Sequence, residues 1–179
     1  MGEAGYYLVA IKATGEIYDE FKKRLDDLAK LNEDFQKIRH DSSKPPIERW
    51  RMLKDMHPLA VELINYEPSE EALKKDMWLN ELTSVIPDLT SEYILTIEDN
   101  VIKLYDYVWH LTDWDGIARW LEKRGCIVLW ASDEYIDLHH YLLMKLRFEH
   151  KEDIIDVLYD LLSKGKVDEA LRLLIALRI

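Results

Sequence analysis

The first hydrophobic run of the chain covers residues 6–13, where nearly every residue is apolar, aromatic or β-branched. The run ends two residues before Gly15, so it is too short for a typical buried helix. Its residue types favour extended structure. The pattern therefore predicts a largely buried β-strand.

A long amphipathic helix is predicted from Glu16 to about His40. Oppositely charged residues four apart, such as Lys22 and Asp26, lie on its polar face. At 1.5 Å per residue this helix would be about 37 Å long, which is more than a domain of this size needs, so we expect it to project. Segment 41–46 contains two prolines and ends it. The apolar positions recur every three or four residues: Ile17, Phe21, Leu25, Leu28, Leu31, Phe35 and Ile38.

Residues 46–87 are predicted to form a helical block inserted after the long helix. One helix begins near Pro46, a favourable first-turn position, and is divided by Pro58. A further helix begins after Ser69, a good N-cap residue, and ends before Pro87. Nothing in this block alternates with a period of two.

After the block the period changes from 3.6 to 2. Residues 93–97 and 101–109 are predicted strands, and Glu98-Asp99-Asn100 between them suits a hairpin turn. Residues 112–125 then have the cap, the acidic first turn and the terminal glycine of a helix. Residues 126–131 predict another short buried strand.

Residues 133–149 are compatible with either a strand or a helix. Apolar and polar residues alternate from 140 to 149, which favours a strand. Leu138, Leu142 and Leu146 would also line one side of a helix, so the helix remains the alternative. We expect a strand over 140–149.

The C-terminal part predicts a helical hairpin. Residues 152–163 and 167–178 have helical periodicity and are joined by Lys164-Gly165-Lys166. Residues 173–177 are all apolar, so the last helix has no polar side there. We expect this helix to be enclosed by the chain or to be covered in a homodimer or another tight protein contact.

These elements predict an α+β fold for the chain, residues 1–179, as a single domain. With the insertion 46–87 set aside, the first six elements follow the order βαββαβ, the split arrangement called ferredoxin-like. The C-terminal helical hairpin, 150–179, is an addition to that core. The prediction rests on element order alone, and this fold hosts many unrelated functions.

Charge and composition limit the classes of function that are compatible with this chain. The chain carries 35 acidic and 24 basic residues, a formal net charge of −11 at pH 7. The negative electrostatic field of such a chain repels the phosphate backbone of nucleic acids and attracts a basic partner protein. The single cysteine, Cys126, excludes an internal disulfide. The chain has no apolar run long enough for a membrane span and its first residues do not resemble a signal peptide, so we expect a cytoplasmic protein. Scarce Asn and Gln with abundant Glu and Lys resemble thermophile composition.

One group of residues could hold a divalent metal where the second hairpin strand gives way to a helix. Carboxylate and imidazole side chains there suit manganese, iron or zinc. Two of these acids also suit a helix N-terminus, which is the simpler interpretation. We expect no metal and no other cofactor. The group comprises Asp106, His110, Asp113 and Asp115.

Two further patterns are candidate sites. Arg51 and His57 have a spacing used by some helical RNA-cleaving domains, although such a spacing is also expected by chance. Trp50 and Trp78 in the helical block have no obvious packing partners in the sequence. We expect at least one of these two tryptophans to be exposed and to anchor a protein partner or a second copy.

No pattern in the sequence indicates a particular reaction, since the chain lacks a glycine-rich phosphate loop and a nucleophile motif. The leading hypothesis is therefore a non-enzymatic protein interaction or regulatory module with an acidic surface. One alternative is a metal-dependent phosphoester hydrolase or nuclease. Another is a nucleic-acid-binding sheet that stacks bases on Tyr105 and Tyr107.

Overall fold

A four-stranded antiparallel sheet forms the centre of the protein. The computed structural model describes residues 4–108, 114–134 and 139–177. The sheet order is β2-β3-β1-β4, so β1 is an inner strand and β2 and β4 lie at the edges. The strands are β1 (Ala4–Ile11), β2 (Ile94–Glu98), β3 (Val101–Val108) and β4 (Ile127–Glu134).

Strand β1 is buried along its whole length because both faces of the sheet are covered. Tyr6 and Leu8 belong to the core on one face, here called the first face. Tyr7 and Val9 belong to a separate core on the opposite, second face. A strand buried on two sides has no polar alternation, which explains the continuous apolar run.

The turn between β2 and β3 is made by Asp99 and Asn100. Both residues have positive φ, 52° and 61°. This conformation belongs to a two-residue hairpin turn, and Asn and Asp tolerate it better than most residues. The predicted hairpin is confirmed here.

Helix α1 (Gly15–Ile38) lies on the first face. Thr14 caps it, and its hydroxyl accepts a hydrogen bond from the Ile17 N–H at 3.2 Å. The buried side chains of α1 extend from Phe21 to Phe35, almost the full length of the helix. The expectation that this helix projects is therefore wrong, because the helical block covers the part that the sheet does not.

The helical block consists of four short helices. These are α2 (Pro46–Met56), α3 (Pro58–Ile64), α4 (Glu70–Lys74) and α5 (Trp78–Val85). One helix was expected from Ser69 to Val85, but the chain breaks between α4 and α5, where Asp76 adopts a φ of 57°. The block belongs to the same core cluster as α1 and the first face.

Helix α6 (Asp115–Glu122) completes the layer on the first face. It approaches α3 closely at Gly116, where an added Cβ would lie 2.8 Å from the Ile64 carbonyl oxygen. Only a residue without a side chain permits this contact. The helix ends at Glu122, and the turn that follows contains the predicted terminal glycine, Gly125, whose φ is 87°.

Three helices follow β4, and they form the layer on the second face. They are α7 (His139–Glu149), α8 (Lys151–Ser163) and α9 (Val167–Ala176). The predicted helical hairpin is α8 and α9. The predicted strand over 140–149 is wrong, because that segment is α7. Leu142 and Leu143 are both buried, and a strand would have placed these neighbours on opposite faces.

The protein is therefore a mixed helix and sheet structure, as expected for an α+β chain. No helix within the described ranges is both long enough and apolar enough to cross a membrane.

Candidate functional site

The predicted metal group is placed only in part by the structure. Asp106 lies on β3 and is buried, and its two carboxylate oxygens accept hydrogen bonds from Thr90. The Thr90 N–H is 2.7 Å from Oδ2, and the Thr90 hydroxyl is 2.8 Å from Oδ1. Asp115 is exposed at the start of α6. His110 and Asp113 lie outside the described residues.

These hydrogen bonds give Asp106 a structural role, since they tie the segment before β2 to the sheet. Burial raises the pKa of its carboxyl from the ordinary value of 3.8 to about 6, although the hydrogen bonds from Thr90 oppose this shift. Among the described residues, no group of three or more His, Cys, Asp or Glu side chains could hold a metal ion.

The raised pKa predicts how stability depends on pH. Between pH ~4 and ~6 the unfolded chain has released the Asp106 proton while the folded chain retains it, so this residue lowers stability as pH rises through that window. The interval from 3.8 to about 6 corresponds to roughly 3 kcal/mol. In Asp106→Asn this contribution disappears, and Asn can still pair with Thr90. Urea unfolding should therefore show the variant gaining about 3 kcal/mol relative to the wild type between pH ~4 and ~7; a constant difference would contradict this.

His57 is held by acidic side chains of the long helix. It lies between α2 and α3, and its side chain is buried against α1. Its Nδ1 is 2.8 Å from an oxygen of Asp27, and its Nε2 is 2.7 Å from an oxygen of Asp34. The other oxygen of Asp27 accepts the Ala60 N–H at 2.9 Å. This arrangement joins the helical block to α1.

Trp50 and Trp78 are both buried, with exposed fractions of 2% and 0%. The expectation that one of them is exposed is wrong. The Trp50 indole N–H donates to Glu67 at 3.1 Å. Trp78 packs edge-on against Phe35, with ring centroids 5.5 Å apart, and lies under the Arg49 guanidinium. No partner is needed to explain either side chain.

The second sheet face is also not an open platform for bases. Tyr105 lies in the core under α7 and α9, and Tyr107 is partly buried beside it. Trp114 is fully buried and stacks on Tyr6 at 4.2 Å between ring centroids. The aromatic residues proposed for recognition therefore fill the interior.

The exposed apolar side chains lie instead on α7, α8 and α9. Ten of the fourteen exposed large hydrophobic residues in the described part of the chain belong to these three helices. Phe148 and Tyr159 are the most exposed, at 74% and 75%. We call these ten residues the outer surface: Tyr141, Met144, Phe148, Ile155, Tyr159, Leu162, Val167, Leu171, Leu174 and Ile175.

On α7 and α8 the exposed apolar residues are spaced three, four or seven apart, so they share one side; on α9, Val167, Leu171 and Leu174 have the same spacing and Ile175 widens the stripe. On α8, for example, they are Ile155, Tyr159 and Leu162. The opposite sides of α7 and α9 supply Leu146 and Leu173 to the second core. Each helix is therefore apolar on two sides, and only one of them is used within the described chain.

A cleft of about 490 Å³ lies beside the outer surface, between α6 and the N-terminal half of α8, with β4 along it. Its charged lining is mostly acidic. Asp115 and Glu122 come from α6, and Asp153 and Asp156 come from α8. The lining also contains Arg119, His150 and Trp130.

The sequence contained part of the signal for this surface. Residues 173–177 were expected to be enclosed or to form a protein contact, and the structure encloses only some of their side chains. Leu173 and Leu177 are buried, whereas Leu174 and Ile175 are exposed. The exposed apolar stripe on α7 was not predicted from the sequence, because the alternation of apolar and polar residues in that segment favours a strand.

No protein-family model, curated protein or solved structure matches this chain.

Proposed function

We propose that this protein is a non-enzymatic protein interaction module and that its outer surface is the docking site. The observation that carries this proposal is the second apolar side of α7, α8 and α9. Single exposed apolar residues are common on soluble proteins, but a concentration on three consecutive helices is typical of a contact surface.

The placement of the other candidates supports the same proposal. The side chains that had suggested binding or catalysis elsewhere are buried within the chain: Trp50 and His57 are hydrogen-bonded there, and Trp78 packs against Phe35. Asp106 is likewise bonded to Thr90. The C-terminal helices have no comparable internal partner for their outer sides among the described residues.

We also propose that the sheet with α1 and α6 is a ferredoxin-like core. The order β1-α1-β2-β3-α6-β4, the antiparallel pairing and the sheet order β2-β3-β1-β4 support this proposal. In such a core both helices lie on one face of the sheet. The layer of α7 and α9 on the second face is an addition to this core, and docking side chains lie on its exposed side.

The docking proposal is tested by placing the photo-crosslinking residue p-benzoylphenylalanine at single positions in the full chain. Phe148, Tyr159 and Leu174 probe the outer surface, and Met56 on α2 is the control, since its exposed fraction is close to that of Leu174. The variants are expressed in the cells that naturally contain the protein, irradiated and separated by denaturing electrophoresis. We expect discrete adducts from the three outer positions and none from Met56.

Mass spectrometry of each adduct then identifies the partner, including a second copy of the chain, as in the predicted homodimer. Absence of adducts from all three outer positions would contradict the proposal. Equal adduct yields at Met56 would contradict it too, because they would show that the chain is cross-linked without regard to surface.

A further inference from the structure

Helix α8 combines an apolar stripe with an acidic side. Ile155, Tyr159 and Leu162 form the stripe. At 100° per residue, the side chain of Asp156 lies about 60° around the helix axis from that of Tyr159. The acidic lining of the cleft therefore begins next to the most exposed apolar residue of the protein.

The charge of this region is mostly negative. Helix α8 carries one lysine and four acidic residues, which are Glu152, Asp153, Asp156 and Asp160. The cleft beside it brings in Asp115 and Glu122 from α6, and Arg119 is the one arginine or lysine in its lining. The field therefore favours a positively charged group at the point where the stripe borders the cleft.

A second copy of the chain fits this region poorly. Packing α8 against α8 would bring two acidic helices together, and each chain already has a net charge of −11. Like charges that face each other across an interface oppose association. A partner with the opposite charge avoids this cost and is attracted from a distance.

The stripe also indicates the shape of the partner. Exposed apolar residues at positions i, i+4 and i+7 of a helix pack well against another helix, whose own apolar side has the same spacing. Basic residues beside that apolar side would face the cleft.

We propose that α8 and the adjoining cleft bind a basic amphipathic helix of another protein. The apolar side of that helix packs on Ile155, Tyr159 and Leu162, and its Lys or Arg side chains meet Asp156 and Glu122 at the cleft. This inference rests on the proposed docking function and names the chemistry of the partner.

The test uses the full chain and a fluorescent synthetic helix of Ala, Leu and Lys, with Leu along one side. A peptide with Glu in place of Lys controls for charge, and a scrambled Ala/Leu/Lys peptide controls for amphipathicity. Fluorescence anisotropy gives the Kd. We expect the ordered basic peptide to bind at least tenfold more tightly than either control peptide.

Four variants locate the binding. Tyr159→Ala should weaken binding at least tenfold, and Met56→Ala, an exposed apolar truncation on α2, should change it less than twofold. E122Q/D156N removes two charges at the cleft and should weaken binding at least fivefold, with a shallower dependence on salt. E70Q/E71Q removes two charges on α4 and should change the Kd less than twofold. Circular dichroism confirms that each variant is folded, and Ile155→Ser replaces Tyr159→Ala if the latter unfolds.

Several results would overturn the inference: no binding of the basic peptide, equal binding of the scrambled peptide, or equal effects of the α8 and control variants. Self-association that is abolished by Tyr159→Ala in sedimentation velocity would also overturn it, because a second copy would then be the occupant. Cross-linked adducts from Phe148 and Leu174 without peptide binding would reject this partner chemistry and leave the docking function standing.

Discussion

Replacing His57 by Ala should destabilise the protein by about 3–5 kcal/mol, because two buried hydrogen bonds to carboxylates are lost, each worth roughly 1.5–3 kcal/mol. The ring lies between Asp27 and Asp34, with both nitrogens at hydrogen-bond distance from carboxylate oxygens. Without it, these two partly buried carboxylates lose a shared partner, and Lys37 reaches only Asp34, at 3.6 Å.

Urea unfolding at neutral pH measures this loss. His150→Ala is the matched control, because His150 makes one ion pair with Asp153 near the surface and its removal should cost less than about 1 kcal/mol. The triple variant H57A/D27N/D34N should recover part of the loss, since it removes the unpaired charges. A loss below about 1 kcal/mol for His57→Ala would show that this ion-pair arrangement contributes little.

Replacing Trp78 by Ala should cost about 3–5 kcal/mol of unfolding free energy, as for other large aromatic residues in a core. The side chain is fully buried, and its ring lies against Phe35 and 4.6 Å from the Arg49 guanidinium carbon. Truncation removes apolar burial and leaves the buried arginine without the ring beneath it. This result is the opposite of what an exposed anchor residue would give.

The neighbouring Met77→Ala is the control, since Met77 is half exposed and its truncation should change stability by less than about 1 kcal/mol. Both variants are compared by urea unfolding and by the peptide binding described above. Trp78→Ala should lower stability and leave the peptide Kd unchanged when the variant is folded. A variant that keeps its stability but loses association would restore the interpretation of Trp78 as an anchor.

The sequence determined the elements whose signals are local. Strand β1 is a short apolar run, the β2–β3 turn rests on Asp99 and Asn100, and α1 begins at the Thr14 cap. The turn after α6 contains the expected Gly125, and α8 and α9 were expected with nearly correct bounds. In each case the backbone conformation follows from side chains within a few positions of one another, so no distant contact was needed to predict it.

Helix α7 shows where local signals were not enough. Its residues alternate between apolar and polar types, and the same residues also place Leu142 and Leu146 on one side of a helix. The two patterns differ in which residues they bury together: a helix buries Leu143 beside Leu142 and leaves Met144 exposed, as observed. Contact with the second face of the sheet favours the helix in this segment, because α7 covers part of that face and a further strand would not.

The roles of the candidate site residues were decided by the tertiary structure alone. Trp50 and Trp78 had no obvious packing partners in the sequence, and their partners come from other elements. His57 meets carboxylates 23 and 30 residues away. Whether an apolar or charged side chain is a core residue or a binding residue depends on which distant elements cover it. In this chain, elements far apart in sequence cover the tryptophans and His57, and the outer sides of α7, α8 and α9 remain exposed.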